Sequence, residues 1–483
     1  MSPRKCYRRT RFILCFCCLV VPRAWTQFHP KQSTVLYPPQ LIQDLTSLRD
    51  KALSSDYAYQ QVSHLTENIG PRMGGSPQAE FAVQYVAGEL RKLGLEVRLE
   101  DVLVPRWVRG TETAELVRYP GQAPGTTQKI VLTALSGSSA TPANGITAGV
   151  VAVRSFAELS ALGRAKVAGK IVVFNVPFDA RKAAAGQAGE AYGEAVIYRV
   201  TGEKAAADLG AAASLIRSVG GADFRLPHTG YSRGAGIPSG ALAAEDAELI
   251  AHLASQGEVQ MHLTLTPQAL PEVVSHNVIA DLKGNEHPEQ VVVVSGHLDS
   301  WELGRGAIDD AAGVAVAMEA ANLLQQLHLH PKRTIRVIAW MDEENGGRGH
   351  DTYAKDYAAD LPNHVAAIES DLGAGHPLGY VMKASPAVAA VLQPMLDIMS
   401  VIGASSLRQS EYSPGSDIAP LVQAGVPGFA PWQDVRTYFN YHHSAADTLD
   451  KIVPRELQEN AAAMAVLAYT LASLPEAIRR GAQ

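Results

Sequence analysis

The sequence has 483 residues, of which 47% are hydrophobic and 19% are charged, a composition typical of globular proteins with room for more than one domain. Its formal net charge is −6, and no sustained stretch mixes basic with aromatic residues. Composition therefore argues against a nucleic-acid partner.

The N-terminus has the features of a secretory signal peptide. Several basic residues precede the apolar run FILCFCCLVV at 12–21, whose 10 residues are too few to span a bilayer comfortably. We therefore predict a signal peptide over 1–27, no stable membrane span after its removal, and a secreted or periplasmic protein. An uncleaved membrane anchor is the alternative. All 4 cysteines lie before residue 19, so the mature chain has no thiolate to offer a metal ion.

The next segment, 28–115, has the pattern of the first part of an α/β domain. The periodicity predicts a helix over 38–53, an amphipathic helix within 70–97 and a strand over 94–104. Residues 116–272 change character, because Gly, Ala and Pro dominate and short valine-rich strands recur without any cluster of ligand-type side chains. We predict that this segment is a module inserted into the main domain. A continuous larger domain is the alternative.

Strands and helices alternate over 273–483, which predicts a mostly parallel sheet flanked by helices. The predicted strands lie at 291–294, 334–340, 364–373 and 425–432. The predicted helices lie at 310–328, 386–400 and 454–474. The expected fold class is therefore α/β, with a mixed, mostly parallel central sheet and an inserted domain.

Acidic and imidazole side chains gather where these strands end. VSGHLDSW at 294–301 carries His297 and Asp299 directly after the VVVV strand, and DDAAG at 309–313 opens the following helix. The segments DEEN, ESD and YHHS come later in the chain. Open α/β sheets bind ligands beyond the carboxyl ends of their strands, and imidazole together with carboxylate suits a divalent metal such as zinc.

Five of these side chains have the chemistry of a centre with two metal ions: His297, Asp309, Glu344, Asp371 and His443. Two hydrolytic metals lie roughly 3.5–4 Å apart and share a bridging carboxylate. Asp309 is the best candidate for the bridge, because it comes from the turn nearest His297. Glu343 is then free to take a proton from the attacking water. Asp299 lies two residues after His297, on the same face of a regular strand, and is therefore predicted to hold the second imidazole nitrogen of His297.

The motifs HLDSW, GAIDDAAG, DEENGG, ESDLG and HHSAADT resemble, in this order and spacing, the co-catalytic zinc exopeptidase family and within it the carboxypeptidase Q group. The resemblance extends over nearly the whole mature chain. Within 116–272, the segments VRSFAELSALGRAKVAGKIVVFNVPF, ASLIRSVGG and HTG resemble the protease-associated domain that is inserted in that group.

The resemblance implies that His297, Asp309 and Asp371 hold one zinc ion. It implies that Asp309, Glu344 and His443 hold the other, with Glu343 as the general base. His443 is favoured over His442, because the ligand of the family directly precedes a segment that begins with Ser or Thr and ends in Asp-Thr, here SAADT at 444–448. A homodimer and a cis peptide between Asp309 and Asp310 are also implied.

The loop YSPGSD at 412–417 and the acidic Asp342 before the Glu-Glu pair depart from the pattern of the family. This loop is expected to shape the substrate pocket. Ser416 and Asp417 of this loop, together with Tyr438, are the candidates for contact with the substrate.

Together these features predict a secreted enzyme with two zinc ions per chain that hydrolyses short peptides, in particular dipeptides. The inserted segment is predicted to overhang the metal site and to limit the substrate to short peptides with a free terminus. A broad-specificity aminopeptidase is the alternative within this class. A glutaminyl cyclase-like transferase is disfavoured by the inserted segment and the length of the resemblance. A non-catalytic receptor-like relative is disfavoured because every expected ligand and Glu343 are present.

Overall fold

The computed structural model describes residues 36–221, 224–478 and 480. The predicted signal peptide at 1–27 lies outside these residues. The described residues form 12 α-helices and 16 strands, and the strands make two sheets of 8 strands each. Among the described residues, no helix combines the length and the apolar character that a membrane crossing requires.

The α-helices, numbered α1 to α12 in chain order, span Pro39–Ala52, Tyr57–Ser63, Pro77–Lys92, Phe156–Val167, Ala180–Ala184, Ala188–Asp208, Ala244–Gln256, Ala312–Gln326, Arg348–Asp356, Val388–Met399, Ala419–Gln423 and Pro454–Ser473. The strands, numbered β1 to β16, span Glu96–Val108, Glu112–Arg118, Gln128–Ile130, Leu132–Ala134, Ile146–Val153, Ile171–Phe174, Ala213–Arg217, Ser239–Leu242, Gln260–Leu265, Gln268–Leu282, His287–His297, Arg333–Trp340, His364–Glu369, Pro377–Lys383, Ser406–Gln409 and Gly428–Gln433.

The first sheet has the strand order β1-β10-β12-β11-β13-β16-β14-β15. Its centre, from β12 through β11 and β13 to β16, is parallel, whereas β10 and β14 run antiparallel to their neighbours in this centre. The fold is therefore mixed α/β, as predicted. Because the central strands are parallel, their carboxyl ends meet at one edge of the sheet.

The VVVV run lies in β11 and is buried on both faces of the sheet. Val292 and Val294 pack into a core that includes residues of α8 and α12. Val291 and Val293 face the opposite core, which includes Tyr353 of α9. A continuous apolar run is what a strand covered on both faces requires.

Most of the predicted elements are confirmed. The helices expected at 38–53, 310–328 and 454–474 correspond to α1, α8 and α12, and α10 contains Pro394 as predicted. The strand expected at 364–373 is shorter, because β13 ends at Glu369. This early end allows Asp371 to reach the neighbouring strand.

The second sheet has the strand order β3-β2-β9-β5-β6-β7-β8-β4 and its own apolar cores. The chain leaves the first sheet at Val108 and returns to it at Gln268, and these two residues are paired between β1 and β10. Glu112 and Leu265 are paired just beyond, between β2 and β9. The two connections between the sheets therefore run side by side.

Candidate functional site

The carboxyl end of β11 holds the first group of ligand-type side chains. His297 is the last residue of β11 and is buried, and its Nε2 lies 3.1 Å from Oδ1 of Asp309 and 3.2 Å from Oδ1 of Asp371. Asp371 follows β13, the parallel neighbour of β11, so two adjacent strand ends supply the group. One imidazole nitrogen and two carboxylate oxygens at this spacing can hold a metal ion.

The second group lies on the other side of Asp309. Nε2 of His443 is 3.0 Å from Oε2 of Glu344 and 3.3 Å from Oδ2 of Asp309. Glu344 comes from the turn after β12, the other parallel neighbour of β11. His442 is close as well, since its Nε2 lies 3.5 Å from Oδ2 of Asp309 and its ring stacks on that of His443. One oxygen of Asp309 thus faces His297, and the other faces the stacked rings of His442 and His443.

The turn that carries Asp309 is fixed by its neighbours. The peptide bond between Asp309 and Asp310 is cis, as the resemblance implied. The carboxylate of Asp310 accepts hydrogen bonds from the N–H groups of His297 at 3.1 Å and Gly313 at 2.8 Å. A Cβ atom on Gly313 would lie 1.9 Å from the main-chain oxygen of Ser370, so a larger residue at position 313 would push the turn away from β13. Asp310 therefore anchors the turn, which leaves Asp309 directed at the histidines.

Asp299 supports the site differently from the prediction. Its carboxylate accepts hydrogen bonds from the N–H groups of Asp342, Glu343 and Glu344 at 2.8, 3.2 and 3.3 Å. Nδ1 of His297 lies 3.0 Å from the main-chain oxygen of Asp299, but 3.9 Å from its Oδ1. The carbonyl of Asp299 thus holds the second nitrogen of His297. The carboxylate orders the turn that carries the Glu-Glu pair.

Glu343 lies at the accessible side of this turn and is half-buried. Its Oε1 accepts a hydrogen bond from the hydroxyl group of Ser416 at 2.8 Å. The same hydroxyl lies 3.4 Å from Oε1 of the buried Glu369. Ser416 is exposed, so it combines contact with Glu343 and access to solvent. It has the position that a substrate-contacting residue needs.

The other two candidates for substrate contact are buried. Asp417 is fully buried, and its Oδ1 lies 2.8 Å from Nδ1 of His350, a partner that the sequence did not reveal. Tyr438 packs against His442 with ring centroids 5.1 Å apart. Burial and the nearby carboxylates, Asp309 foremost, raise the pKa of the Tyr438 hydroxyl well above its usual value. Asp417 thus holds its loop in place, and Tyr438 lies beside the metal-ligand candidates.

The second sheet also reaches this site, in line with the prediction that the inserted segment overhangs it. The N–H group of Thr229 donates a hydrogen bond to the main-chain oxygen of His443 at 2.9 Å. The hydroxyl group of Ser136 donates to Oδ1 of Asn345, next to Glu344, at 2.5 Å. The particular residues that make these contacts were not predicted.

Charge and burial indicate that cations fit this site. Burial raises the pKa of Glu344 to about 8 and the pKa of Asp371 to about 6. Oε1 of Glu344 is buried and has no hydrogen-bond partner within the described part of the chain. Buried carboxylates resist ionisation unless a positive charge compensates them, and a bound cation reverses that preference. The nitrogen and oxygen donors suit zinc.

Comparison with known proteins places this site in a family context. Residues 277–468, which include the five ligand candidates, match the sequence model of peptidase family M28. The chain is 37% identical over 429 residues to carboxypeptidase Q of Bos taurus, a match that covers 88% of this chain and 87% of that protein.

Two solved structures are similar to this one. A peptidase M28 precursor from Shewanella amazonensis SB2B has a TM-score of 0.86 and 35% identity, and the match covers 92% of this chain and 99% of that one. A zinc aminopeptidase from Bacillus subtilis has a TM-score of 0.63 at 22% identity, and the match covers 88% of this chain and 97% of that one. The second likeness is one of fold.

Proposed function

Because the chain belongs to peptidase family M28 and is a zinc metallopeptidase, we propose that it is an exopeptidase that hydrolyses short peptides, in particular dipeptides, with two zinc ions. The observation that carries this proposal is the position of Asp309, whose two carboxylate oxygens face His297 and His443. Each of these histidines also has a carboxylate of its own, from Asp371 and Glu344 respectively.

In this proposal one ion is held by His297, Asp309 and Asp371, and the other by Asp309, Glu344 and His443. Zinc bound there would polarise the peptide carbonyl and lower the pKa of the attacking water. His443 is a better ligand candidate than His442. Nδ1 of His443 lies 3.3 Å from the carbonyl oxygen of Thr229, whereas Nδ1 of His442 has no hydrogen-bond partner among the described residues. Ligating imidazoles generally have their second nitrogen held by an acceptor.

Glu343 is the proposed general base. It takes a proton from the water and delivers it to the leaving amine. Its place next to Glu344 on a turn ordered by Asp299 supports this role, because the turn directs the two side chains from one rigid segment. Ser416 and Tyr438 are the proposed substrate contacts. Asp417 would act indirectly, by holding the Ser416 loop against His350.

We further propose the division of the chain that composition suggested: a signal peptide over 1–27, a catalytic domain made of 28–115 and 273–483, and a protease-associated-like domain inserted at 116–272. The second sheet, with cores of its own, supports the inserted domain. The pairings of Val108 with Gln268 and of Glu112 with Leu265 favour ends for this domain near 109 and 267, a few residues before those that composition suggested. The proposed signal peptide makes the enzyme secreted or periplasmic. The resemblance to the family supports a homodimer.

The contacts of the second sheet support a preference for short substrates. Thr229 and Ser136 touch the loops that carry His443 and Glu344, and Arg109 pairs with Glu302 at 2.5 Å. Loops from a second module that reach a site commonly shape what it accepts. A site bounded in this way suits a short peptide with a free terminus.

The test is a panel of substrates for the purified, zinc-loaded protein: free dipeptides, dipeptides blocked at the amino or the carboxyl end, and a doubly blocked peptide of about ten residues, too long for a bounded site. Free dipeptides should be hydrolysed fastest. If only amino-terminal blocking abolishes turnover, the aminopeptidase alternative replaces carboxypeptidase action. Efficient cleavage inside the doubly blocked peptide would contradict exopeptidase action altogether. Glu343→Gln at equal zinc content is the control for a contaminating peptidase.

A further inference from the structure

We call residues 109–267, which contain the second sheet, the second sheet module, and the rest of the described residues the first sheet module. One residue of the second sheet module, Thr229, contacts both the main chain and the ring of His443. The N–H group of Thr229 donates to the main-chain oxygen of His443 at 2.9 Å, and the carbonyl oxygen of Thr229 lies 3.3 Å from Nδ1 of the ring. His443 has a φ of 58°, a left-handed conformation that is uncommon outside glycine. Thr229 thus forms two contacts with His443, whose own backbone is in an unfavourable conformation.

Arg199 lies directly behind this contact. It belongs to α6 and is 7% exposed, and its Nη1 is 3.4 Å from the carbonyl oxygen of Thr229 and 3.3 Å from Nδ1 of His443. An arginine side chain can only donate hydrogen bonds, and the carbonyl is the acceptor between the two side chains. When Nδ1 carries a proton, Arg199 and His443 therefore both donate to this carbonyl oxygen.

This arrangement decides which nitrogen of His443 carries the proton. Nε2 faces Glu344 and Asp309, so it must be unprotonated to bind a cation, and the proton must then sit on Nδ1. The hydrogen bond from the buried guanidinium group of Arg199 holds this carbonyl oxygen in place, within reach of Nδ1. A held Nδ1–H also fixes the orientation of the ring toward the cation.

Thr229 is held from its other side by a second arginine. Nη2 of Arg109 donates to Oγ1 of Thr229 at 3.0 Å, and Nη1 donates to the carbonyl oxygen of Ala134 at 2.6 Å. Arg109 also pairs with Glu302, which follows Trp301, and the Trp301 ring lies 5.7 Å from the ring of His443. The carbonyl that His443 needs is therefore fixed in position by two arginines.

We propose that Arg199 is a positioning residue through which the second sheet module sets the zinc affinity of the half of the centre that contains His443. The inference rests on the two-zinc centre of the proposed function. It concerns one ion only, because the second nitrogen of His297 is held by the carbonyl of Asp299, inside the first sheet module.

The experiment compares Arg199→Met and Arg199→Lys with a matched control, Arg217→Met, in the full-length mature protein. Arg217 lies on β7 of the same module and pairs with Glu248. Zinc affinities of both ions are measured by competition with a chromophoric chelator. Arg199→Met should weaken one ion by about 10–100-fold and leave the other unchanged. Arg199→Lys, which keeps the charge, should fall between it and the unmodified protein, and Arg217→Met should bind like the unmodified protein.

Unchanged affinities in Arg199→Met, equal weakening of both ions, or the same weakening in Arg217→Met would each overturn the inference. If the Arg199 variants do not fold, ring ¹⁵N spectra of the unmodified zinc-loaded protein decide the question. The His443 signal should be that of a ring protonated at Nδ1, and an unprotonated Nδ1 would overturn the inference. Failure of the unmodified protein to bind two zinc ions would instead contradict the proposed function.

Discussion

Ser416 donates its hydroxyl hydrogen to Oε1 of Glu343 across 2.8 Å. The two residues come from different parts of the first sheet module, Glu343 from the turn after β12 and Ser416 from the loop before α11. The proposed base is therefore oriented by a donor on an exposed loop as well as by its own turn. The contact links the loop that departs from the pattern of the family to the chemistry of the site.

Ser416→Ala should lower kcat by about 3–10-fold, since one hydrogen bond to a carboxylate near solvent contributes about 1 kcal/mol. KM for a dipeptide should rise at the same time, because Ser416 is also a proposed substrate contact. Ser416→Thr keeps the hydroxyl group and is the matched control, with kcat near that of the unmodified enzyme. A large rise in KM at constant kcat would show that Ser416 serves the substrate and not the base.

Glu343→Gln should retain both zinc ions and lose most turnover, because the amide cannot accept the proton of the water. General-base catalysis contributes roughly 10²–10⁴ in rate, and kcat should fall by a factor in this range. Zinc content and kcat are measured on the same sample. Near-normal kcat with full zinc content would contradict the assignment of Glu343.

Asp309→Ala should lose zinc from both halves of the centre, whereas His297→Ala and His443→Ala should each weaken mainly one ion. The reason is that only Asp309 faces both histidines, through Oδ1 at 3.1 Å and Oδ2 at 3.3 Å. Zinc titrations of the three variants should give different stoichiometries. Two tightly held ions in Asp309→Ala would exclude the bridging role.

Gly313→Ala should disrupt the turn of the metal site, because the added Cβ would lie 1.9 Å from the main-chain oxygen of Ser370 and 2.2 Å from Oδ2 of Asp310. Overpacking of this kind costs about 1–3 kcal/mol, and zinc affinity should fall with it. The matched control is Gly88→Ala in α3, where nothing lies within 4 Å of the new Cβ. Gly88→Ala should raise the stability of the zinc-free protein by about 0.5–1 kcal/mol. Equal thermal unfolding temperatures of the two variants would contradict this account.

The buried pair of Asp281 and Arg336 should make stability depend on acid pH. Nε and Nη2 of Arg336 donate to the two oxygens of Asp281 at 2.7 and 2.9 Å. Burial alone would raise the pKa of Asp281, but the hydrogen bonds and charge of Arg336 hold it below its usual value. The contribution is therefore fully present above the pKa of the unfolded chain, about 3.9, and is lost as the pH falls through the lower pKa of the folded state.

Asp281→Asn should destabilise the zinc-free protein by about 3–5 kcal/mol at neutral pH, because it leaves Arg336 buried without its counter-charge. Below about pH 4 the difference from the unmodified protein should shrink, since the unmodified Asp281 becomes protonated there too. Urea unfolding of both proteins at neutral and acid pH measures this. A difference that stays constant with pH would contradict the role of this ion pair.

The sequence predicted the sheet edge well because the signals there are local. The apolar run at 291–294 predicts a buried strand, and His297 just after it predicts a ligand-binding side chain at the carboxyl end of that strand. The segment DDAAG predicts the start of the following helix. Both are found, in β11 and α8. The five ligand candidates meet around Asp309 because parallel strands bring their carboxyl ends to one edge.

The contacts that the sequence did not predict are of two kinds. The contact between Thr229 and His443 joins residues 214 positions apart, and no local pattern encodes such a pairing. The position of the Asp299 side chain was inferred from the alternation of a regular strand. Because β11 ends at His297, this alternation no longer applies two residues later, and the carboxylate turns toward Asp342 and Glu344.

The pairing of Val108 with Gln268 bears on how the second sheet could be replaced in related proteins. The departure and return points of the second sheet are adjacent strand residues, so a two-residue hairpin turn would be enough to close the first sheet without it. The strand order of the first sheet does not depend on what is attached there. The second sheet can therefore be exchanged as one unit without a change in the first sheet, provided that its replacement also supplies an acceptor for Nδ1 of His443.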